Sequence, residues 1–278
     1  MSSEVPPVLG RRSPAAATEP LLGHAGEAAG SCYRVEGGST PWCSLRAVSV
    51  TGVRHRLSGQ PGEDSFAWAR AEAHLAVAVA DGLGSVAASG GAARRAARAA
   101  ADAAAAHVAA GAAAGSAGVE GAAAAVEGGL AAANEAAGGG GATTLVLAVV
   151  GEDGCVDAGR VGDSTAFVVA AGGRSWVEVF SGHGDDGAVG TETDALPSEG
   201  PQWEVARVRL DRSEVLVLAT DGLADPWRDG PQTVAPALAE AVAGHPSALE
   251  LARLADFSRQ GCHDDRTLLC VWMRAPVE

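Results

Sequence analysis

The chain has 278 residues, 47% of them hydrophobic, and a formal net charge of −14. This length and apolar content permit a substantial core, in one large domain or two small ones. The acidity argues against a nucleic-acid partner, which needs a basic face for phosphate backbones, and suits solubility or the collection of cations.

Aromatic residues make up only 4% of the chain. Packing must therefore rely on Val, Leu and Ala in close layers, with Trp42, Trp68, Trp176, Trp203, Trp227 and Trp272 as anchors of separate regions. The five cysteines show no CxxC or Cys–His spacing, and the first residues carry no apolar run of signal length. That pattern predicts free thiols in a reducing cytoplasm and argues against zinc. No apolar run reaches membrane-spanning length, because Arg, Asp, His and Gly interrupt the Ala-rich segments.

In chain order, residues 1–40 carry scattered Pro among Ser, Ala and Gly without a period, and read as a flexible leader to one domain over 41–278. Residues 45–51, 64–70 and 74–80 read as strands. An Ala-rich run over 86–114 predicts a long helix, and 119–137 a second one that ends at the glycines 138–141. Strands follow at 143–150, 154–160, 165–171 and 175–180. Residues 181–202 have no period and read as a loop or flap. Strands at 203–210 and 214–219, helices at 231–242 and 247–259, and a strand at 267–273 complete the chain. Runs of strands separated by helix pairs, without βαβ alternation, predict an α+β fold with antiparallel sheets in layers.

The acidic residues fall at strand tips. Asp81 and Asp221 each end an apolar run and precede Gly82 and Gly222; Glu63 and Asp64 precede one strand, Asp264 and Asp265 another, and Asp163 lies between two. Rigid strand ends are good platforms for metal ligands, and hard cations such as Mg²⁺ or Mn²⁺ prefer carboxylate and carbonyl oxygens. Any one Asp-Gly pair is ordinary turn chemistry; the recurrence in order is what counts.

The motifs are G-V-R-H-R-L-S-G-Q-P-G-E-D-S-F at 52–66, V-A-D-G-L-G-S at 79–85, G-A-T-T-L at 141–145, V-G-D-S at 161–164, A-T-D-G-L at 219–223 and D-D-R-T-L-L at 264–269. In this order they resemble the metal-dependent protein phosphatase family of type 2C, in its bacterial branch. The resemblance implies a four-layer α-β-β-α sandwich, two mainly antiparallel sheets flanked by helix pairs. It implies two divalent cations, Mn²⁺ or Mg²⁺, with Asp81 bridging, Gly82 and Glu63 completing one site, and Asp221 and Asp264 holding the other. Asp64 would orient water beside the ions. Arg54, His55 and Arg56 are the candidates to grip phosphate, and Asp163 would pack nearby without being a principal ligand. The implied reaction is direct hydrolysis of phosphoserine or phosphothreonine. The implied setting is a cytoplasmic, monomeric enzyme acting on proteins phosphorylated by a Ser/Thr kinase system. The alternative is a catalytically weak pseudo-phosphatase serving as a phosphoprotein-binding module. Leu83, where some members carry histidine, and Gly62, where Asn or Cys is usual, point that way; four retained carboxylates point against it.

Overall fold

Strand β4 (His74–Ala80) shows how the layers arise. Its Leu75, Val77 and Val79 face one apolar cluster, while Ala76, Ala78 and Ala80 face another. Strands β5 (Leu145–Gly151), β10 (Val215–Ala219) and β11 (Arg266–Met273) alternate likewise, with both faces buried. This is why they read as continuous apolar runs rather than as alternating ones. The computed structural model describes residues 32–71, 73–83, 88–113, 119–180, 194–200, 202–228 and 234–274.

All strand pairs are antiparallel. One sheet has the order β1 (Tyr33–Ser39), β2 (Cys43–Val50), β11, β10, β7 (Thr165–Val169) and β8 (Trp176–Glu178). The other has the order β3 (Ser65–Ala71), β4, β5, β6 (Cys155–Val161) and β9 (Glu204–Arg209). Their facing sides enclose the central core, with Leu45, Val77, Val146, Leu216 and Leu269.

Helices α2 (Ser89–Ala113) and α3 (Val119–Ala137) cover the five-stranded sheet. On α2 the buried positions Ala93, Ala96, Ala97, Ala100, Ala101, Ala104 and Val108 follow helical spacing, and alanine brings the backbones close without a propensity cost. The six-stranded sheet is covered by α4 (Asp221–Arg228), α5 (Ala235–Ala243) and α6 (Ala248–Ala255). Trp227 of α4 stacks on Phe167 of β7, and the Trp272 indole N–H donates to the Val242 carbonyl of α5. The expected α-β-β-α sandwich is thus present, with a trio of helices on one side where a pair was anticipated.

Several local expectations change. Tyr33–Ser39 is an edge strand rather than part of the leader; all of it pairs with β2. The Tyr33 hydroxyl bonds the carboxylate of Asp256, which also holds Arg56. Residues 1–31 lie outside the described residues, as do 181–193 of the anticipated flap. Two short helices were not anticipated, α1 (Val53–Ser58) and α4. Trp68 is no core anchor: it is 39% exposed on β3. All five cysteines carry free thiols. Among the described residues no helix is long and apolar enough to cross a membrane.

Candidate active site

Antiparallel pairing gathers the strand-tip carboxylates at one end of the sandwich. Ser65, just after Asp64, pairs with Ala80, just before Asp81. Ala219, two residues before Asp221, lies between Thr165, two after Asp163, and Leu268, shortly after Asp264 and Asp265. Register thus gathers one group of carboxylates in each sheet, and the bonds from the Glu63 amide to Asp265 and from the Thr220 hydroxyl to Asp64 bring the two groups together.

Glycines let the loops close on one another. A Cβ on Gly82 would come within 2.8–2.9 Å of the Ser89 carbonyl carbon, the Gly90 amide nitrogen and the Glu63 carbonyl oxygen. The turn after Asp81 is thus pressed between Glu63 and the start of α2. At Gly222 a Cβ would overlap the Asp265 carbonyl oxygen. The turn after Asp221 is held against the segment before β11 in the same way.

The carboxylates raise one another's pKa. Burial, then the charges of Asp64 and Asp221, push the Asp81 carboxyl up to about 12. Burial and the charge of Asp265 push Asp64 up to about 7, against hydrogen bonds that include the Thr220 hydroxyl, 2.8 Å from its Oδ2. Burial, then Asp163 and Asp264, push Asp221 up to about 7. Glu63 is raised by burial, with His55 opposing. Asp163 therefore sits within the acidic group, as the strongest charged influence on Asp221, and does more than pack beside it.

Asp264 and Asp265 separate as alternating positions should. Asp264 is exposed, with Arg54 at 3.7 Å. Asp265 is buried, and its oxygens accept from the Gly52 and Glu63 amides, each at 2.6 Å, and from His55 Nδ1 at 3.0 Å. With a carboxylate accepting at Nδ1, that nitrogen carries the proton, and Nε2 faces Glu63 Oε2 at 3.7 Å. Both ring nitrogens of His55 are thus turned to carboxylates, while Arg54 stands at the rim. Arg56 is turned away onto Asp256. Asp265 was noted from the sequence as a strand-tip carboxylate but given no role, and Thr220 was not singled out.

Among the described residues no three His, Cys, Asp or Glu side chains close on one point in ligating geometry. The donor set nevertheless fits hard cations. It is all oxygen, the buried atoms Asp64 Oδ1 and Glu63 Oε2 have no hydrogen-bond partner, and like charges crowd with little cationic compensation. A divalent ion would satisfy the unpartnered oxygens and offset the crowded charge together.

The family model for protein phosphatase 2C matches residues 51–255. No curated protein matches the chain. Among solved structures, the photosystem II phosphatase PBCP is similar at 17% identity and a TM-score of 0.58, over 84% of this chain and 99% of that one. RsbX in complex with magnesium is similar at 14% identity and 0.52, over 87% and 100%. The Mycobacterium tuberculosis serine/threonine phosphatase PstP is similar at 20% identity and 0.51, over 84% and 100%. At these identities the likeness is one of fold.

Proposed function

The chain belongs to the protein phosphatase 2C family, and on that premise we propose that it is a Mn²⁺- or Mg²⁺-dependent phosphatase acting on phosphoserine and phosphothreonine in proteins. The observation that carries this reading is the crowding of Asp64, Asp81 and Asp221, each raised by burial and by its acidic neighbours. Asp81 and the Gly82 carbonyl, with Glu63 on one side and Asp221 and Asp264 on the other, would hold two cations. When bound, such ions supply Lewis-acid polarisation of the phosphoryl group and lower the pKa of water. Asp64, fixed by Thr220, would orient a water through its unpartnered Oδ1. The Asp265–His55 pair would hold Glu63 in place from behind. Arg54, exposed beside Asp264, would meet an incoming phosphate. The magnesium bound to RsbX and the serine/threonine phosphatase PstP, which share the fold, support the choice of cation and substrate class.

The test is release of inorganic phosphate from phosphoserine and phosphothreonine peptides with Mn²⁺, with Mg²⁺ and with EDTA. A panel of small phosphate esters runs alongside. Metal-dependent release that favours peptides, and that Asp81→Asn and Asp221→Asn abolish, is the expected result. Release from small esters alone would move the substrate class. The second reading, a phosphoprotein-binding module without turnover, draws on Asp264, which is exposed and faces Arg54 rather than the other carboxylates. No release from any substrate by folded protein would favour it.

A further inference from the structure

A cleft of about 380 Å³ opens where β1, β3 and the first turns of α2 meet. It is lined by Arg34, Arg94 and Arg98, with Phe66 and Trp68 as an aromatic wall. In a chain of net charge −14 this concentration of arginine is out of keeping with the whole. Arg98 is committed to Asp102 at 2.6 Å. Arg34 is partly buried, stacked 4.8 Å from the Phe66 ring centre, with a long bond of 3.4 Å to the Ser65 hydroxyl. Arg94 has no hydrogen bond or ion pair with another described residue. Burial and the charge of Arg94 both lower the Arg34 pKa, against weaker help from Asp64 and Glu36. Two guanidinium groups thus repel across a cleft whose acidic lining is Glu36, an arrangement that an anion would relieve.

The cleft adjoins the carboxylate site on two sides. Arg34 bonds the residue next to Asp64. A Cβ on Gly90 would lie 3.5 Å from Arg94 Nη1 and 3.0 Å from the Glu63 Cα, so the Arg94 guanidinium sits one residue's width from Glu63. A chain segment entering the acidic site can therefore reach it. The exposed Trp68 offers an apolar surface along the way.

We propose that this cleft takes a second anionic side chain, phosphorylated or carboxylate, of the same peptide whose phosphoserine or phosphothreonine enters the carboxylate site. The proposal rests on the phosphatase reading for the identity of the first group. It makes the chain selective for multiply phosphorylated or acidic stretches. Attraction at the cleft offsets the repulsion that such a segment meets from the rest of an acidic surface.

The test is fluorescence anisotropy of three labelled peptides on the full chain with Mn²⁺ present, the phosphoserines being made as non-hydrolysable phosphonates so that no turnover occurs. Each carries one phosphoserine; a neighbouring position, moved through a spacing series, is phosphoserine, glutamate or alanine. The phosphoserine and glutamate peptides should bind about tenfold more tightly than the alanine peptide at the best spacing. The preference should vanish in Arg94→Ala and in Arg34→Gln, two variants checked for native circular dichroism. Equal affinity for all three peptides would overturn the proposal, as would a preference that survives both substitutions. Mn²⁺-dependent phosphate release from the alanine peptide, made with ordinary phosphoserine, is read separately. Its absence, with the preference intact, would count against hydrolysis while supporting the cleft.

Discussion

The Asp265 carboxylate and the His55 imidazole, 210 positions apart in sequence, meet at 3.0 Å and lock helix α1 to the loop before β11. The same carboxylate accepts the Gly52 and Glu63 amides. Asp265→Ala strands these donors in a buried place and should cost about 3 kcal/mol, lowering Tm by about 6–12 °C for a domain of this size. Asp265→Asn keeps one acceptor oxygen and should cost about half as much. Thermal unfolding of both variants checks the order; equal Tm values for Ala and wild type would refute it.

Gly222→Ala places a methyl group on the Asp265 carbonyl oxygen. Backbone, unlike the end of a flexible side chain, cannot step aside cheaply. A loss of about 3 kcal/mol is expected, measurable by urea unfolding. A tolerated alanine with unchanged midpoint would show that the two loops do not touch as described.

Asp81 illustrates stability given up for function. Its carboxyl is raised to about 12 by burial and by Asp64 and Asp221. A group raised in this way makes no difference below its unfolded pKa and opposes folding above it, because folding at neutral pH must take up a proton that the unfolded chain does not hold. Asp81→Asn should therefore raise the metal-free Tm by about 2–4 °C while removing the gain that Mn²⁺ confers on the wild type. A fall in metal-free Tm would contradict the electrostatic account.

Alkaline stability should depend on Tyr33. Burial, then the Asp256 carboxylate that accepts a hydrogen bond from its hydroxyl, raise its pKa from 10.0 to about 12. Between those values the native state holds a proton that the unfolded chain releases, so this contribution is complete below pH 10 and is lost toward pH 12. Tyr33→Phe should flatten the decline over that window relative to wild type, in unfolding midpoints taken at steps of pH. A slope identical to wild type would remove Tyr33 from the account.

Much of the fold was legible because its strands are long, apolar and bounded by Gly, Asp and Pro, and because α2 is an almost unbroken alanine helix. Tyr33–Ser39 was missed because Gly37 and Gly38 carry no strand signal; its pairing with β2 and the Tyr33–Asp256 contact outweigh that weakness. The short helix α4 was hidden by Asp221-Gly222 and Asp225-Pro226, which read as turns until Leu223 and Trp227 find the core. At the site, the strand-tip carboxylates were visible as a pattern, but the contrast between exposed Asp264 and buried Asp265 was not, since only packing distinguishes them. Nothing in the Ala-rich run marks Arg94 and Arg98 as more than helix charges, and the packing of the two sheets that brings Arg34 and Phe66 to them lies beyond local sequence.

The most direct measurement is calorimetric titration of Mn²⁺ into the metal-free chain, beside Asp81→Asn. Two binding events in the wild type, with the bridging-dependent one lost in Asp81→Asn, are the result expected of carboxylates assembled to hold a pair of ions. No heat of binding in folded wild-type protein would contradict the assignment of Glu63, Asp81, Asp221 and Asp264 as metal ligands.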